Sequence, residues 1–330
     1  MTKKILVIGS NSFSGASFIN FALSKNLKVV GVSRSKEGKN YFLPYYFSKN
    51  KKNFKFFKID INHDLSKLLK IIKNFKPQFI VNFAAQSMVA ESWRKPLHWY
   101  QTNVISQIKL IEDIKKCKFI KKFINFTTPE VYGSQNNWQS EHYNFRPTTP
   151  YAISRAATDQ HLLSMFKYFK FPVIFTRAAN IYGPGQHLYR IIPKTIMFSL
   201  LGKKMSLHGG GKSKRSFVYM DDVSEAIYKI LLKGKAGETY HISGKKLISI
   251  KNLVKIIYEI CNKDFSNKIV ISNERVGKDL YYKLSSNKIR RKLHWKDNTS
   301  LNEGIKNTLD WIIKNFKNLN RENFEYIHKK

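Results

Sequence analysis

The sequence is poor in cysteine, glycine and proline, and each shortage argues against a class of protein. Its 330 residues include only 2 cysteines, 16 glycines and 9 prolines. Cys117 and Cys261 have no second Cys and no His at a metal-ligand spacing, which argues against a disulfide framework and a zinc site. So little glycine and proline excludes collagen-like repeats and low-complexity linkers. We therefore expect a folded globular protein with reduced, buried cysteines and no metal.

Long apolar runs are also missing. No stretch approaches the roughly 18 consecutive apolar residues that a membrane helix requires. Residues 1–4 are followed by only four apolar residues before Gly9, which is too few for the core of a signal peptide. The sequence therefore predicts a cytoplasmic protein without a membrane partner.

Acidic residues are scarce, because 22 Asp and Glu stand against 59 Lys and Arg, for a formal net charge of +37. Such a charge is typical of nucleic-acid-binding proteins. The lysines are nevertheless spread along the whole chain beside Asn, Ile and Phe, as an A/T-rich genome would produce, and no arm or helix concentrates them. We expect no specific nucleic acid partner and a positive field that favours anionic substrates such as nucleotides.

Short apolar runs alternate with amphipathic segments through the first half of the sequence. The runs, which we expect to be strands, are 4–8, 28–32, 54–59, 79–82, 123–126 and 173–176. The helix-like segments include 16–24, 65–75, 104–116 and 156–169. Such alternation is typical of successive βα units. The predicted fold is α/β, a doubly wound parallel Rossmann-type sheet in a dinucleotide-binding domain over residues 1–180, followed by a smaller C-terminal lobe over residues 181–330.

A glycine-containing turn, residues 9–15, separates the first predicted strand from the first predicted helix. Backbone N–H groups and the helix dipole meet a pyrophosphate at such a turn. Ser12 occupies the place of the middle glycine, so the turn taken alone also fits a plain strand-to-helix connection, and its position in a βαβ unit favours a cofactor site. The candidate cofactor residues of this turn are Gly9, Asn11, Ser12, Phe13, Ser14 and Gly15.

The end of the second strand indicates which dinucleotide binds. Ser33 and Arg34 stand where an acidic residue would hold a ribose 2′-hydroxyl, and a hydroxyl with a guanidinium suits a 2′-phosphate. We expect NADP, with NAD as the alternative; Arg34 as a solvated surface cation is the simpler interpretation. Further candidate cofactor residues follow the third and fourth strands, namely Asp60, Ile61, Phe83, Ala84 and Ala85.

Two later segments carry candidate catalytic groups. Thr128 and Glu130 follow a predicted strand, and Tyr151 and Arg155 lie four residues apart on one face of a predicted helix. At about 5 Å and an effective dielectric near 20, the cation would stabilise a tyrosinate by about 3 kcal/mol, or roughly two pKa units. A Tyr and Arg pair alone is commonly structural. A catalytic role is favoured here because the pair occurs together with a strand end that is rich in hydroxyl groups.

Together these motifs resemble the extended short-chain dehydrogenase/reductases that act on nucleotide sugars, and within them the 4,6-dehydratases. The resemblance extends over nearly the whole chain and is carried by residues 84–87, 101–103, 128–133, 180–185, 192–193, 215–223, 237–242 and 275–279. It implies that Tyr151 takes the proton of the sugar 4-hydroxyl while Thr128 hydrogen-bonds the same oxygen. Glu130 would then remove the C5 proton as water leaves C6, and Arg155 stands in place of the family Lys beside the cofactor.

The resemblance also implies a partner and an assembly. The substrate would be a nucleotide diphosphate sugar, bound mainly by the C-terminal lobe, and a homodimer would form through the helices predicted at 104–116 and 156–169. The implied substrate-binding residues are Gln86, Ser87, Thr128, Asn180, Arg215 and Arg275. A nucleotide-sugar epimerase and a UDP-glucuronate decarboxylase remain alternatives. A non-catalytic family member is a further one, because Ser12, Pro129 and Arg155 replace family residues.

Overall fold

The computed structural model describes residues 3–274 and 282–328 of the chain. One parallel sheet of seven strands, in the order β11-β6-β5-β4-β1-β2-β3, dominates it. Shorter pairings join β7 to β10, β8 to β13 and β9 to β12. The strands are β1 (Lys4–Ile8), β2 (Lys28–Ser33), β3 (Phe54–Lys58), β4 (Phe79–Asn82), β5 (Lys122–Thr127), β6 (Val173–Ala178), β7 (Asn180–Tyr182), β8 (Met205–His208), β9 (Lys214–Arg215), β10 (Phe217–Tyr219), β11 (Thr239–Ile242), β12 (Ile248–Ser249) and β13 (Ile269–Ser272).

Helices connect these strands and cover both faces of the large sheet. They are α1 (Phe13–Ser24), α2 (Leu65–Phe75), α3 (Val89–Arg94), α4 (Pro96–Tyr100), α5 (Ser106–Ile114), α6 (Pro150–Phe169), α7 (Ile191–Leu200), α8 (Met220–Lys233), α9 (Ile250–Ile260), α10 (Asn287–Leu293), α11 (Leu301–Lys314) and α12 (Phe316–Leu319). A π-helical turn, Gln101–Ile105, precedes α5, and a 3-10 turn, Pro129–Tyr132, follows β5.

The predicted doubly wound parallel sheet is confirmed. The strand order reverses between β1 and β4, because the chain first builds outward through β2 and β3 and then returns to the other side of β1. In sheets of this type a ligand crevice opens at that reversal, beyond the carboxyl ends of the strands. The ends of β1 and β4 therefore mark the place of a binding site.

The core has one layer on each face of the sheet. Successive residues of β1 point to opposite sides, so that Ile5 and Val7 pack with α1 and α8, and Leu6 and Ile8 pack with α2, α5 and α6. Each fully buried side chain of this kind stabilises the fold by about 1.5–3 kcal/mol. The predicted strands 4–8 and 79–82 and the predicted helix 65–75 have the observed bounds.

Helix starts differ from the predicted segments for local reasons. Helix α6 contains both the segment 156–169 and the predicted helical pair Tyr151 and Arg155, and it begins at Pro150 because the Thr149 hydroxyl caps it by accepting a hydrogen bond from the Ala152 N–H at 3.1 Å. Proline also suits the first helical position. Helix α5 begins at Ser106 rather than at the predicted Val104, because the π-helical turn precedes it.

The later part of the chain contributes to both the large sheet and a separate core. Strand β11 is an edge strand beside β6, whereas α7, α9 and α11 enclose their own apolar cluster. Cys261 is buried in that cluster, but Cys117, expected to be buried, is only half-buried; both are free thiols. Among the described residues, none of the helices has the length and apolar character needed to cross a membrane.

Candidate active site

The turn after β1 is shaped by two glycines. Gly9 has a φ of +84°, and a Cβ placed on it would lie 2.8 Å from the Ala84 backbone nitrogen beyond β4. A Cβ on Gly15 would lie 2.2 Å from the Gly9 carbonyl oxygen. Both positions therefore require glycine, because backbone from two segments meets where a side chain would stand.

Ser12, in the place of the middle glycine, closes this turn. Its hydroxyl donates to the Gly9 carbonyl at 2.7 Å and accepts from the Gly15 N–H at 3.0 Å, which caps the start of α1. Phe13 and Ser14 form the first turn of the helix. The serine side chain is thus engaged within the turn, and the positive end of the α1 dipole lies beside it.

A cavity of about 300 Å³ opens at the carboxyl ends of β1, β2 and β4. Most predicted cofactor residues line it, namely Gly9, Asn11, Ser12, Ser33, Arg34, Asp60, Ile61, Phe83, Ala84 and Ala85. Phe13, Ser14, Gly15, Tyr151 and Arg155 do not line this cavity. We call the region around the cavity the cofactor end of the cleft.

The polar atoms of the cofactor end fit a dinucleotide. Within the described part of the chain, Ser10 Oγ and Asn11 Oδ1 are buried without a hydrogen-bond partner. The Asn11 amide donates to the carbonyls of Ser35 and Lys36 at 3.0 and 2.9 Å, which ties the glycine turn to the loop that carries Arg34. A crowded glycine turn at the start of a helix suits a pyrophosphate, whereas the Asn11 Oδ1 acceptor suits a donor such as a ribose hydroxyl.

Sequence reasoning missed several residues of this cavity. Its wall also includes Phe42, Leu43 and His187. The first two belong to an irregular loop after β2, and His187 comes from a turn more than 100 residues away in sequence. No local spacing signals such contributions, since only the tertiary fold brings them to the cleft.

The loop after β4 is held by Asn103. The Asn103 side chain accepts a hydrogen bond from the Gln86 N–H at 2.8 Å and donates to the Gln86 carbonyl at 3.0 Å. It also donates to Ser154 Oγ at 2.9 Å. Gln86 is therefore buried and fixed relative to α6, whereas Ser87 is exposed. Asn103 belongs to the motif 101–103, but sequence reasoning gave it no role.

The predicted catalytic groups meet at the junction of β5 and α6. Tyr151 lies in the first turn of α6, is 8% exposed and is hydrogen-bonded to the Thr128 side chain. Thr128 Oγ1 also accepts the Glu130 N–H at 3.3 Å, and Glu130 is near enough for its charge to act on Tyr151. We call this region, with Arg155, the catalytic end of the cleft.

Burial governs the acidity of Tyr151. It raises the pKa of Tyr151 above its usual value of about 10, and the Arg155 guanidinium opposes that rise. Glu130 raises the pKa further, while Thr128 and Arg190 lower it. Arg155 thus acts in the predicted direction, but the predicted net depression of the pKa is wrong for the protein alone. Loss of hydration outweighs the neighbouring cation.

Arg155 and a second arginine share a fully buried polar cluster beneath the catalytic end. Arg155 Nη2 donates to the Phe126 carbonyl, while its Nε and Nη1 are buried without a partner among the described residues. One helical turn further, Asp159 forms an ion pair of 2.8 Å with Arg177, and the Asn125 amide donates to Asp159 at 2.9 Å. The orphaned donors of Arg155 suit the hydroxyls of a bound ribose.

The structure brings only some of the predicted substrate-binding residues together. Asn180 begins β7, and its N–H donates to the Ser216 carbonyl at 3.1 Å, which places it beside the end of β9. Arg215 is buried there, with its guanidinium 4.3 Å from the centre of the Tyr282 ring. Arg275 lies outside the described residues. Sequence reasoning missed Arg190, an exposed residue before α7 whose charge acts on Tyr151.

The fold, the glycine turn after β1 and the Tyr151 and Arg155 pair define an extended short-chain dehydrogenase/reductase. The sequence matches the family of GDP-mannose 4,6 dehydratase over residues 6–308. The chain therefore belongs to the GDP-mannose 4,6 dehydratase family.

Individual relatives agree with this assignment. Human dTDP-D-glucose 4,6-dehydratase is 35% identical over 276 residues, 82% of this chain and 78% of that protein. A trifunctional UDP-glucose 4,6-dehydratase of Arabidopsis thaliana is 34% identical over 273 residues, 81% of this chain, and the chain spans only 40% of its length. The solved dTDP-glucose 4,6-dehydratase of Streptomyces venezuelae, with NAD bound, has a TM-score of 0.87 at 28% identity and covers 95% of this chain and 98% of its own.

Proposed function

We propose that this protein is a nucleotide-sugar 4,6-dehydratase, which converts a nucleoside diphosphate sugar into its 4-keto-6-deoxy derivative. The observation that carries the proposal is the carboxylate of Glu130 beside Tyr151 and Thr128. A 4-epimerase transfers a proton only at the 4-hydroxyl, so it needs no second base at this place. The names of the human and Streptomyces relatives support the same reaction.

The first proton transfer belongs to Tyr151. Its phenolate oxygen takes the proton of the sugar 4-hydroxyl, and the Thr128 hydroxyl hydrogen-bonds the same sugar oxygen. A bound dinucleotide supplies the acceptor of the C4 hydride and later the donor of that hydride to C6. Arg155, with its two orphaned buried donors, would hold the cofactor ribose and keep a positive charge near Tyr151.

The second proton transfer belongs to Glu130. The C4 ketone makes the C5 proton acidic, and the Glu130 carboxylate removes it. The same carboxyl group then gives a proton to the C6 hydroxyl, which leaves as water while a C5–C6 double bond forms. Water would then give a proton to C5, and Tyr151 would release to solvent the proton that it took from the 4-hydroxyl. With the hydride returned to C6, the product is the 4-keto-6-deoxy sugar, and Tyr151 and Glu130 are again in their starting protonation states.

A deuterium experiment tests this proposal. The protein is incubated in heavy water with dTDP-glucose, UDP-glucose, GDP-mannose and UDP-glucuronate in separate reactions, and the products are analysed by mass spectrometry and NMR. We expect one substrate to yield a 4-keto-6-deoxy product that carries solvent deuterium at C5. A 4-epimer without deuterium at C5 would identify an epimerase, and loss of carbon dioxide from UDP-glucuronate a decarboxylase. Cofactor binding without any product would identify a non-catalytic member.

We also propose NADP rather than NAD as the preferred cofactor. Arg34 lines the cavity where the adenosine ribose would lie, and no acidic residue ends β2. A guanidinium at this place supports binding of a 2′-phosphate. Titration calorimetry should show tighter binding of NADP than of NAD, and Arg34→Ala should remove most of the difference. Equal affinities in the unaltered protein would contradict the preference.

A homodimer is the proposed assembly. Ile105, beside α5, and Ile153, in α6, are 43% and 41% exposed, which leaves apolar surface on the two helical segments predicted to form the interface. A twofold contact between copies would cover both. Light scattering at micromolar concentration tests it, and a monomer would contradict it. The predicted division near residue 180, with substrate contacts mainly in residues 181–330, and the cytoplasmic location stay predictions.

A further inference from the structure

The segment after α12 lies against the protein with alternate side chains turned inward. We call residues 321–328 the strap. Its inward side chains are half-buried, namely Glu322, Phe324, Tyr326 and His328. Its outward side chains are exposed, namely Arg321, Asn323, Glu325 and Ile327. This period of two is typical of an extended chain laid on a surface.

One end of the strap contacts the loop after β2. Glu322 pairs with the Lys39 ammonium group and accepts a hydrogen bond from the Tyr41 hydroxyl at 2.6 Å. The loop continues into Phe42 and Leu43, which line the cofactor cavity. The strap therefore begins on the cofactor end of the cleft.

The middle of the strap contacts α7 and the turn before it. The rings of Phe324 and Phe198 are 5.5 Å apart, and Glu325 pairs with Lys194 at 2.5 Å. Tyr326 packs edge-on against Tyr189, just before α7, with ring centres 5.3 Å apart.

The last described residue, His328, contacts helix α4. The His328 ring stacks on Trp99 of α4, with centres 5.0 Å apart and planes 13° from parallel. His328 Nε2 and His98 Nδ1 are 2.9 Å apart, so these rings share a hydrogen bond. Trp99 is fully buried, which makes this contact a well-anchored one.

Tyr326 is near enough to charged residues of both ends of the cleft for their charges to act on it. Burial raises its pKa, and the charges of Arg34 and Arg190 oppose that rise. Arg34 lines the cofactor cavity, and Arg190 acts on the catalytic Tyr151. The strap thus contacts three segments whose neighbouring residues line the cofactor cavity, namely Phe42 and Leu43 after Tyr41, His187 before Tyr189, and Thr102 after α4.

From these contacts we propose that the strap retains the cofactor: it holds the loop after β2, α7 and α4 together at the cavity, so that exchange of the dinucleotide requires the strap to open. The inference rests on the proposed function in one respect. Because the hydride that leaves C4 returns to C6, the cofactor is regenerated within each turnover and need not be released. A strap that slows release of the cofactor therefore does not slow turnover.

The test measures cofactor release without substrate. The full chain is loaded with carbon-14-labelled NAD or NADP, whichever it binds, and release into excess unlabelled cofactor is followed by rapid filtration. The strap variant carries Tyr326→Ser and His328→Ala. The matched control is Ile327→Ala, because Ile327 lies between them and is 62% exposed. We expect release about tenfold faster in the strap variant and within about twofold of the unaltered protein in the control.

A second measurement distinguishes opening of the strap from a general loss of stability in the strap variant. His98→Cys and His328→Cys are combined with Cys117→Ser, and the new thiols are joined by a short bismaleimide. We expect release to be slower after crosslinking than before it in the same protein. Equal release rates in the strap variant and its control, no effect of the crosslink, or no binding of either cofactor would each overturn the proposal. A failure of dehydration alone would not, because release is measured without turnover.

Discussion

The two ends of the cleft are built on different principles. At the cofactor end, the backbones of Gly9 and Ala84 meet so closely that a single Cβ would not fit between them. At the catalytic end, buried charges stand under the reacting groups, with Arg155, Asp159 and Arg177 on neighbouring elements. The residues allowed at the cofactor end are limited by the space available, and those at the catalytic end by the pairing of buried charges. Substitutions at the two ends should therefore fail in different ways.

The largest effect should come from Tyr151→Phe at the catalytic end. Without the phenolic oxygen no group takes the proton of the 4-hydroxyl, and we expect kcat to fall by about 10²–10⁴-fold with cofactor affinity retained. Tyr168→Phe is the matched control, because Tyr168 lies on the same helix and is 80% exposed. The measurement is the initial rate of 4-keto product formation. A loss smaller than about tenfold would remove Tyr151 from the role of base.

A large loss of stability should follow Arg177→Met. The substitution leaves the fully buried Asp159 carboxylate without its partner, at a cost of about 3–5 kcal/mol in the free energy of unfolding. Arg177→Met combined with Asp159→Leu should recover part of that loss, because the unpaired carboxylate is removed while Arg155 remains as the one buried cation of the cluster. Urea denaturation measures both. Lys67→Met, at the surface pair with Asp64, serves as the control and should leave the midpoint unchanged. Equal losses in the free energy of unfolding in the single and double variants would contradict the view that buried charges determine stability at the catalytic end.

A smaller effect should follow Gly9→Ala at the cofactor end. The φ of +84° and the contact with Ala84 would strain an alanine by about 1–3 kcal/mol, so cofactor affinity should fall by roughly 5–150-fold if the turn must shift. Gly202→Ala is the matched control, since Gly202 also has a positive φ, of +67°, but lies outside the cavity and a Cβ there meets no atom within 4 Å. Titration calorimetry with the cofactor measures both. Unchanged affinity in Gly9→Ala would show that the turn adapts.

The smallest effect concerns the strap. Burial lowers the pKa of His328, and the nearby groups His98, Lys95 and Arg34 lower it further, against Glu91. The Tyr326 hydroxyl also lies 3.4 Å from His328 Nδ1. A lowered pKa means that the fastened strap favours neutral His328. The attached position of the strap is therefore fully favoured above about pH 6.5, which is the pKa of a free histidine. It becomes less favoured as the pH falls below that value.

We accordingly expect cofactor release to become severalfold faster between about pH 7.5 and pH 5.5. The release assay with labelled cofactor measures it. His328→Gln should flatten this dependence, because its side chain does not titrate. A profile equally steep in the variant would assign the pH effect to other groups.

The sequence was a good guide to the sheet and to the cofactor end. Alternating apolar runs depend on local periodicity, and β1, β4 and α2 have the predicted bounds. The glycine turn is likewise local, since seven consecutive residues contain it. The structure confirms the helix predicted to carry Tyr151 and Arg155, whereas the Thr149 cap that begins it was overlooked, although its Thr-Pro pair was visible in the sequence.

The sequence was a poorer guide to the catalytic end. The i, i+4 spacing of Tyr151 and Arg155 predicted their proximity, but the pKa of Tyr151 depends on how much water the whole fold excludes. His187 and Arg190 reach the cleft from a turn remote in sequence. The alternation in the strap is visible in the sequence, yet nothing local indicates which surface it covers. Long-range packing, rather than residue type, determines these features.

The central claim is that Glu130 removes the C5 proton, and Glu130→Gln tests it most directly. The purified variant is mixed with the substrate that the unaltered protein converts, and the absorbance of reduced nicotinamide and the yield of 4-keto-6-deoxy product are followed together. Oxidation at C4 needs only Tyr151 and Thr128, so we expect reduced nicotinamide to accumulate on the protein while the 6-deoxy product falls by about 10²–10⁴-fold. Full turnover without accumulation of reduced nicotinamide would contradict the account.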